Sequence, residues 1–131
     1  MTPAPRAKPR HLESQMQREF VKRTRLDART RHVMFCAVPN GGKRNIREAA
    51  LMKAEGVTAG VPDILVFDPS SRTDNFFSGL AIEFKVTGNK PTEAQALWHL
   101  ALIERGWNVI VCTSADAGFT AVLSHLGKHR G

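Results

Sequence analysis

The run Leu80-Ala81-Ile82-Glu83-Phe84-Lys85-Val86 sets an acid and a base into a stretch that is otherwise apolar. Strand side chains alternate between two faces. Leu80, Ile82, Phe84 and Val86 therefore share one face, which belongs in a core. Ala81, Glu83 and Lys85 share the other. A charge in such surroundings is costly unless it is paired or binds metal. A second apolar run, Gly60-Val61-Pro62-Asp63-Ile64-Leu65-Val66-Phe67, carries Asp63 just after a proline that cannot donate to a sheet ladder. If the two runs pair through the polar turn region 68–79, Asp63 comes near Glu83. Two carboxylates meeting at one spot repel, and a divalent cation relieves the repulsion.

The remaining segments supply elements around this pair. Residues 1–10 are rich in Pro and basic side chains and are expected to form a disordered arm, with a single domain over 11–131. Residues 11–29 lack Pro and Gly and predict a helix, with Glu13, Gln17 and Phe20 along one side. Residues 32–38 are almost continuously apolar and predict a strand covered on both faces. Pro39 stops it. In Asn40-Gly41-Gly42-Lys43-Arg44 the small residues let backbone approach a ligand, and Lys43 and Arg44 flank them. Residues 44–55 read as a helix closed by Gly56.

Thr92-Glu93-Ala94-Gln95 has the spacing of a capping box and opens the clearest helix, which Gly106 ends. Its expected apolar stripe is Ala94, Leu97, Trp98, Ala101 and Leu102, and His99 is expected at the surface or core edge. A strand over 107–113 and a helix from Ala115 to about Leu126 follow, with Ser114 as cap. The order helix, strand, helix, strand, strand, helix, strand, helix predicts an α/β fold: a mixed sheet with helices on both faces.

Pro62-Asp63 followed by Glu83-Phe84-Lys85 resembles the PD-(D/E)XK nuclease signature. With Pro39-Asn40-Gly41, Gly56-Val57, Gly60-Val61, Gly79-Leu80, Ile82 and Gln95, the ordered set resembles the VRR-NUC family of that superfamily. The resemblance implies a restriction-endonuclease-like mixed sheet and a Mg²⁺- or Mn²⁺-dependent deoxyribonuclease. It implies that Asp63 and Glu83 ligate the metal with the backbone carbonyl of Phe84, that Glu13 joins directly or through water, and that Lys85 and Gln95 serve catalysis. Glu13-x-x-x-Gln17 is similar to the family's first-helix element. Stand-alone relatives of this type imply a homodimeric resolvase of branched DNA. A flap- or nick-type nuclease, and a nuclease fold that binds DNA without cutting, are the alternatives.

Charge points the same way. Of the net +7, residues 1–31 hold nine Lys/Arg against three acids, and the rest hold ten against nine. An uneven basic surplus suggests a polyanion. The candidate DNA contacts are Gln17, Arg23, Arg25, Arg29, Asn40, Lys43 and Arg44. The chain has no Tyr and no interleaved aromatic–basic strand motif, which argues against a basic RNA-binding module. No apolar run suits a membrane span and the N-terminus has no secretory h-region, so a cytoplasmic setting without membrane or organic cofactor is expected. Cys36 and Cys112 each lie in an apolar run and are expected as reduced core thiols.

Overall fold

Four helices and four strands are laid out by local capping signals. The computed structural model describes residues 8–39, 45–71 and 76–128. The elements are α1 (Pro9–Leu26), β1 (Phe35–Ala37), α2 (Ile46–Ala54), β2 (Ile64–Val66), β3 (Leu80–Phe84), α3 (Glu93–Glu104), β4 (Asn108–Cys112) and α4 (Ala115–His125). Helix α1 begins at Pro9, a residue whose missing N–H is no loss at a first turn. The side chains of Asn45, Thr92 and Ser114 accept the N–H groups of Glu48, Gln95 and Ala117. Each such cap stabilises its helix by about 1 kcal/mol. Gly56, at φ +98°, follows the end of α2 in the left-handed conformation that glycine adopts without strain.

The sheet order is β1-β2-β3-β4. Strands β1/β2 and β2/β3 are antiparallel, and β3/β4 are parallel. The parallel pair is joined through α3, as the crossover requires. Ile64 lies opposite Ile82, so Asp63 faces Glu83 one step further along the same ladder. This is the mixed α/β sheet expected from the element order.

The core lies on one side of the sheet. Ile64, Val66, Leu80, Ile82 and Phe84 are buried there with Phe20 of α1 and Val122 of α4. Full burial of such a side chain stabilises the fold by roughly 1.5–3 kcal/mol. The Phe20 and Phe84 rings meet with centroids 5.6 Å apart. Gly118 makes room for them, since a Cβ there would sit 3.0 Å from both rings. Helix α3 packs against β4 and covers the other face.

Several expectations need correction. The run 32–38 yields a strand of three residues at the sheet edge, and Cys36 is exposed there instead of lying in a core. Met34 is 70% exposed, and its N–H is taken by the Asp68 carboxylate, not by a further ladder partner. An edge strand has one unpaired side, so its apolar run is not sealed from both faces. Cys112 is a buried free thiol, as expected. Neither α2 nor α3 buries a single residue fully. The stripe expected on α3 is only half sunk, with Leu97 62% exposed.

Candidate active site

The end of β3 gathers the polar residues. Ala81 and Glu83 point away from the Phe84 core, toward α3. Glu83 is 1% exposed and Lys85 8%, which is rare for charged side chains. Asp63 is fixed from two sides. Its carbonyl accepts the N–H of Val38 at 2.9 Å, and its Oδ2 accepts the N–H of Phe84 at 2.7 Å. The backbone of the residue between Glu83 and Lys85 is thus tied to the Asp63 carboxylate. Antiparallel pairing of β2 and β3 and the Pro62 bend produce this directly.

Glu13 reaches the same place from α1. Its Oε2 accepts the N–H of Val86 at 3.2 Å, just past the end of β3. The acid of the first-helix pair is therefore docked at the strand end. Gln17 lies one turn further along and lines a shallow groove of ≈ 510 Å³ with Arg18, Val21, Lys22, Arg25 and Leu26.

The electrostatics set acidic groups against one another. Burial pushes the Glu83 carboxyl up to about 9; the negative charge of Asp63 and a hydrogen bond with it push the same way, Lys85 opposes, and Glu13 adds to the rise. Two carboxyl groups in contact, with a third acid near, favour either a shared proton or a bound cation. Hard oxygen donors suit Mg²⁺ or Mn²⁺. Among the described residues no three His, Cys, Asp or Glu side chains form a ready-made cage. The donor set fits a metal held by two carboxylates, backbone and water better than an all-side-chain site.

Helix α3 supplies two donors to Glu83. Gln95 Nε2 donates to Oε2 at 3.3 Å, and His99 Nε2 lies 3.4 Å from Oε1. Gln95 also completes the capping box. Its Oε1 accepts the N–H of Thr92 at 2.8 Å, and its own N–H donates to the Thr92 hydroxyl at 3.2 Å. One side chain thus caps α3 and reaches Glu83. His99 corrects the expectation of a peripheral histidine. The signal was available: it stands four residues after Gln95, on the same helix face. Burial lowers its pKa, Lys85 lowers it further, and Asp63 works against them.

Gly60 makes this approach possible. It has φ +96°, and a Cβ there would lie 2.7 Å from the backbone of Ala94 in the first turn of α3. A larger residue would push α3 away from the loop that leads to Asp63.

The basic residues divide. Arg23 pairs with Asp116 at 2.9 Å and lies 4.1 Å over the Phe119 ring. Arg29 grips Asp27 through Nε at 3.0 Å and Nη2 at 2.9 Å. That contact holds the Asp27 carboxyl down at about 2. Both arginines tie α1 and its following turn into the fold, so they are weaker candidates for DNA than their charge suggests. Arg25 lies on the outer groove with Lys22, near the Phe35 ring. Asn40, Lys43 and Arg44 lie outside the described residues.

The family model for the VRR-NUC domain matches residues 6–116. The chain belongs to the VRR-NUC family. A solved structure titled "VRR_NUC domain protein" superposes with a TM-score of 0.70 at 22% identity, covering 88% of each chain. At that identity the likeness speaks for the fold. No curated protein matches the chain. The VRR-NUC match spans every residue placed at the end of β3, from Glu13 to His99. Asp63, Glu83 and Lys85 thus lie together in a nuclease-type domain.

Proposed function

We propose that this VRR-NUC domain is a metal-dependent endonuclease that hydrolyses phosphodiester bonds in branched DNA. The observation that carries the reading is the convergence of Asp63, Glu83 and Lys85 at the end of β3, where Asp63 holds the N–H of Phe84 and presses on a buried Glu83. Asp63 and Glu83 would hold Mg²⁺ or Mn²⁺, with the Phe84 carbonyl and Glu13 as further donors. The ion supplies Lewis-acid stabilisation of the phosphoryl oxygens and a more acidic bound water. Lys85, 8% exposed, would bring a positive charge to this spot and stabilise charge developing on phosphate oxygens. The buried setting makes that charge count for more than it would in water. The α1 groove with Gln17, Arg18, Lys22 and Arg25 offers a track for the phosphate backbone one turn from Glu13.

Labelled linear, flap, fork and four-way DNA, with duplex RNA as control, should be incubated with Mg²⁺, Mn²⁺ or chelator. Paired symmetric cuts in the four-way substrate, lost with chelator, are expected. Preference for flaps or nicks would replace the junction reading, and binding without cleavage under every metal would overturn the enzyme.

The same reading assigns a homodimer, because a junction with two-fold symmetry needs two matched cuts. Helix α3 favours it. A cluster of large apolar side chains on one exposed helix face commonly marks an interaction surface. Here Leu97, Leu100 and Ile103 are 62%, 58% and 54% exposed. They offer the apolar centre of an interface, which in a stable dimer covers roughly 800 Å² per partner. Light scattering should give about twice the 14.5 kDa chain mass. Leu100→Asp together with Ile103→Asp should return it to the monomer mass. A monomer in the unaltered protein, with and without junction DNA, would refute the pairing.

A further inference from the structure

We infer that His99 is a positioning residue that, with Gln95, clamps the two oxygens of the Glu83 carboxylate from α3. The inference rests on the metal-binding reading of Glu83 and adds a residue to it.

The geometry is specific. Gln95 and His99 are separated by four residues, so they rise one above the other on a single helix face. Each meets a different oxygen: Gln95 Nε2 is 3.3 Å from Oε2, and His99 Nε2 is 3.4 Å from Oε1. The Glu83 side chain is 2% exposed and that of His99 12%, so water does not substitute for either donor. A metal needs Glu83 ionised, and an ionised carboxylate has only acceptor sites, so in that state the imidazole facing it donates from Nε2. Each carboxylate oxygen has two lone pairs. One donor per oxygen leaves one lone pair on each for a cation. Both contacts are longer than the usual 2.7–3.2 Å, and charge-assisted bonds of this kind shorten when the carboxylate is ionised.

The clamp is built on a rigid support. The amide of Gln95 is orientated by Thr92, whose N–H takes Oε1 and leaves Nε2 for Glu83. The Gly60–Ala94 approach sets the depth of the helix start. His99, one turn deeper into α3, inherits that placement. Burial, and then the charge of Lys85 across the site, lowers its pKa against the pull of Asp63, in keeping with a donor that contributes no charge of its own. A carboxylate with two fixed donors loses little rotamer freedom when it takes a metal, which is how partners behind a metal ligand raise affinity.

The test separates hydrogen bonding from packing. His99→Leu keeps bulk and removes the donor. His99→Gln keeps an amide N–H close to the place of Nε2. Mn²⁺ affinity is measured by calorimetry, folding by thermal melts in chelator, and cleavage by kcat and KM on a labelled four-way junction. His99→Leu should weaken Mn²⁺ binding by roughly 10–100-fold. It should lower kcat with KM for DNA little changed, and His99→Gln should recover most of both. Unchanged Mn²⁺ affinity in His99→Leu overturns the inference. So does an equal loss in His99→Gln with intact melting, which would assign the site to ring shape.

Failure of the functional reading looks different. A protein that binds Mn²⁺, loses that affinity on His99→Leu and cuts no DNA keeps the clamp and loses the nuclease. Should the unaltered protein bind no Mn²⁺, the imidazole ¹⁵N shifts of His99 still report the contact: they should move on Glu83→Ala. Shifts that stay in place would overturn the inference.

Discussion

Asp63→Asn, Glu83→Gln and Lys85→Ala should each cut DNA at least about a thousandfold more slowly, yet they should part company in every other measurement. Each removes a group proposed to bear on charge at the phosphate, worth several kcal/mol, and each 1.36 kcal/mol is tenfold in rate. The two carboxylate variants lose a charged oxygen donor, so their Mn²⁺ affinity should drop in calorimetry. Lys85→Ala removes a cation beside the metal site, so its Mn²⁺ affinity should stay level or rise. Stability separates them again. Without a cation, the fold at pH 8 must keep a proton on Glu83 that the unfolded chain has released, which costs stability. Glu83→Gln removes that cost and should raise the melting temperature in chelator at pH 8. Sites arranged for function commonly hold such strain at the expense of stability. Lys85→Ala removes the positive charge that opposes the carboxylates and should lower it. A Lys85→Ala protein that cuts at nearly the unaltered rate would sink its role. An Asp63→Asn protein with undiminished Mn²⁺ affinity would sink the proposed ligand pair.

What could be read from the chain, and what could not, follows from how local the cause is. The capping box at Thr92 and Gln95 is a four-residue event, and it is found where the spacing placed it. The meeting of Asp63 with Glu83 needed one hairpin-like pairing between consecutive strands, a local step whose register follows from burying Ile64, Val66, Leu80 and Ile82 together. The fate of 32–38 depended on which strand lies at the edge, a property of the finished sheet. Apolar content could not reveal it, and Cys36 came out exposed. Arg23 and Arg29 looked like free charge because their partners were not apparent: Asp116 lies 93 positions away, and Asp27 only two. The first pair is invisible without the packing of α1 on α4. The second could have been suspected from Asp-x-Arg in a turn. His99 was missed because the apolar pattern of α3 was judged alone. Its position relative to Gln95 carried the signal, and that signal gains meaning only once Gln95 is set against Glu83.

The proton on Glu83 makes metal binding depend on pH. Its carboxyl titrates near 9 in the fold against 4.5 when free, chiefly through burial and then through Asp63. A raised carboxylate pKa means that the folded chain holds a proton which the unfolded chain has released. The stability from that proton is complete below about 4.5 and is lost as pH climbs through about 9. In chelator this group should therefore lower the melting temperature steadily across that window. A divalent ion needs the ionised form, so it must displace the proton. Mn²⁺ affinity should rise with pH up to about 9, and the gap between melting temperatures with and without Mn²⁺ should widen. At pH 7 the binding should release about one proton. Calorimetry in Pipes, Hepes and Tris at that pH measures it, because the apparent heat then shifts with the ionisation enthalpy of the buffer. His99, with its pKa lowered, is already neutral and adds no proton to the count. Glu83→Gln should abolish the buffer dependence along with most of the affinity. Heats that are identical in all three buffers, with Mn²⁺ bound, would mean that Glu83 is already ionised and that the buried carboxyl pair was misjudged.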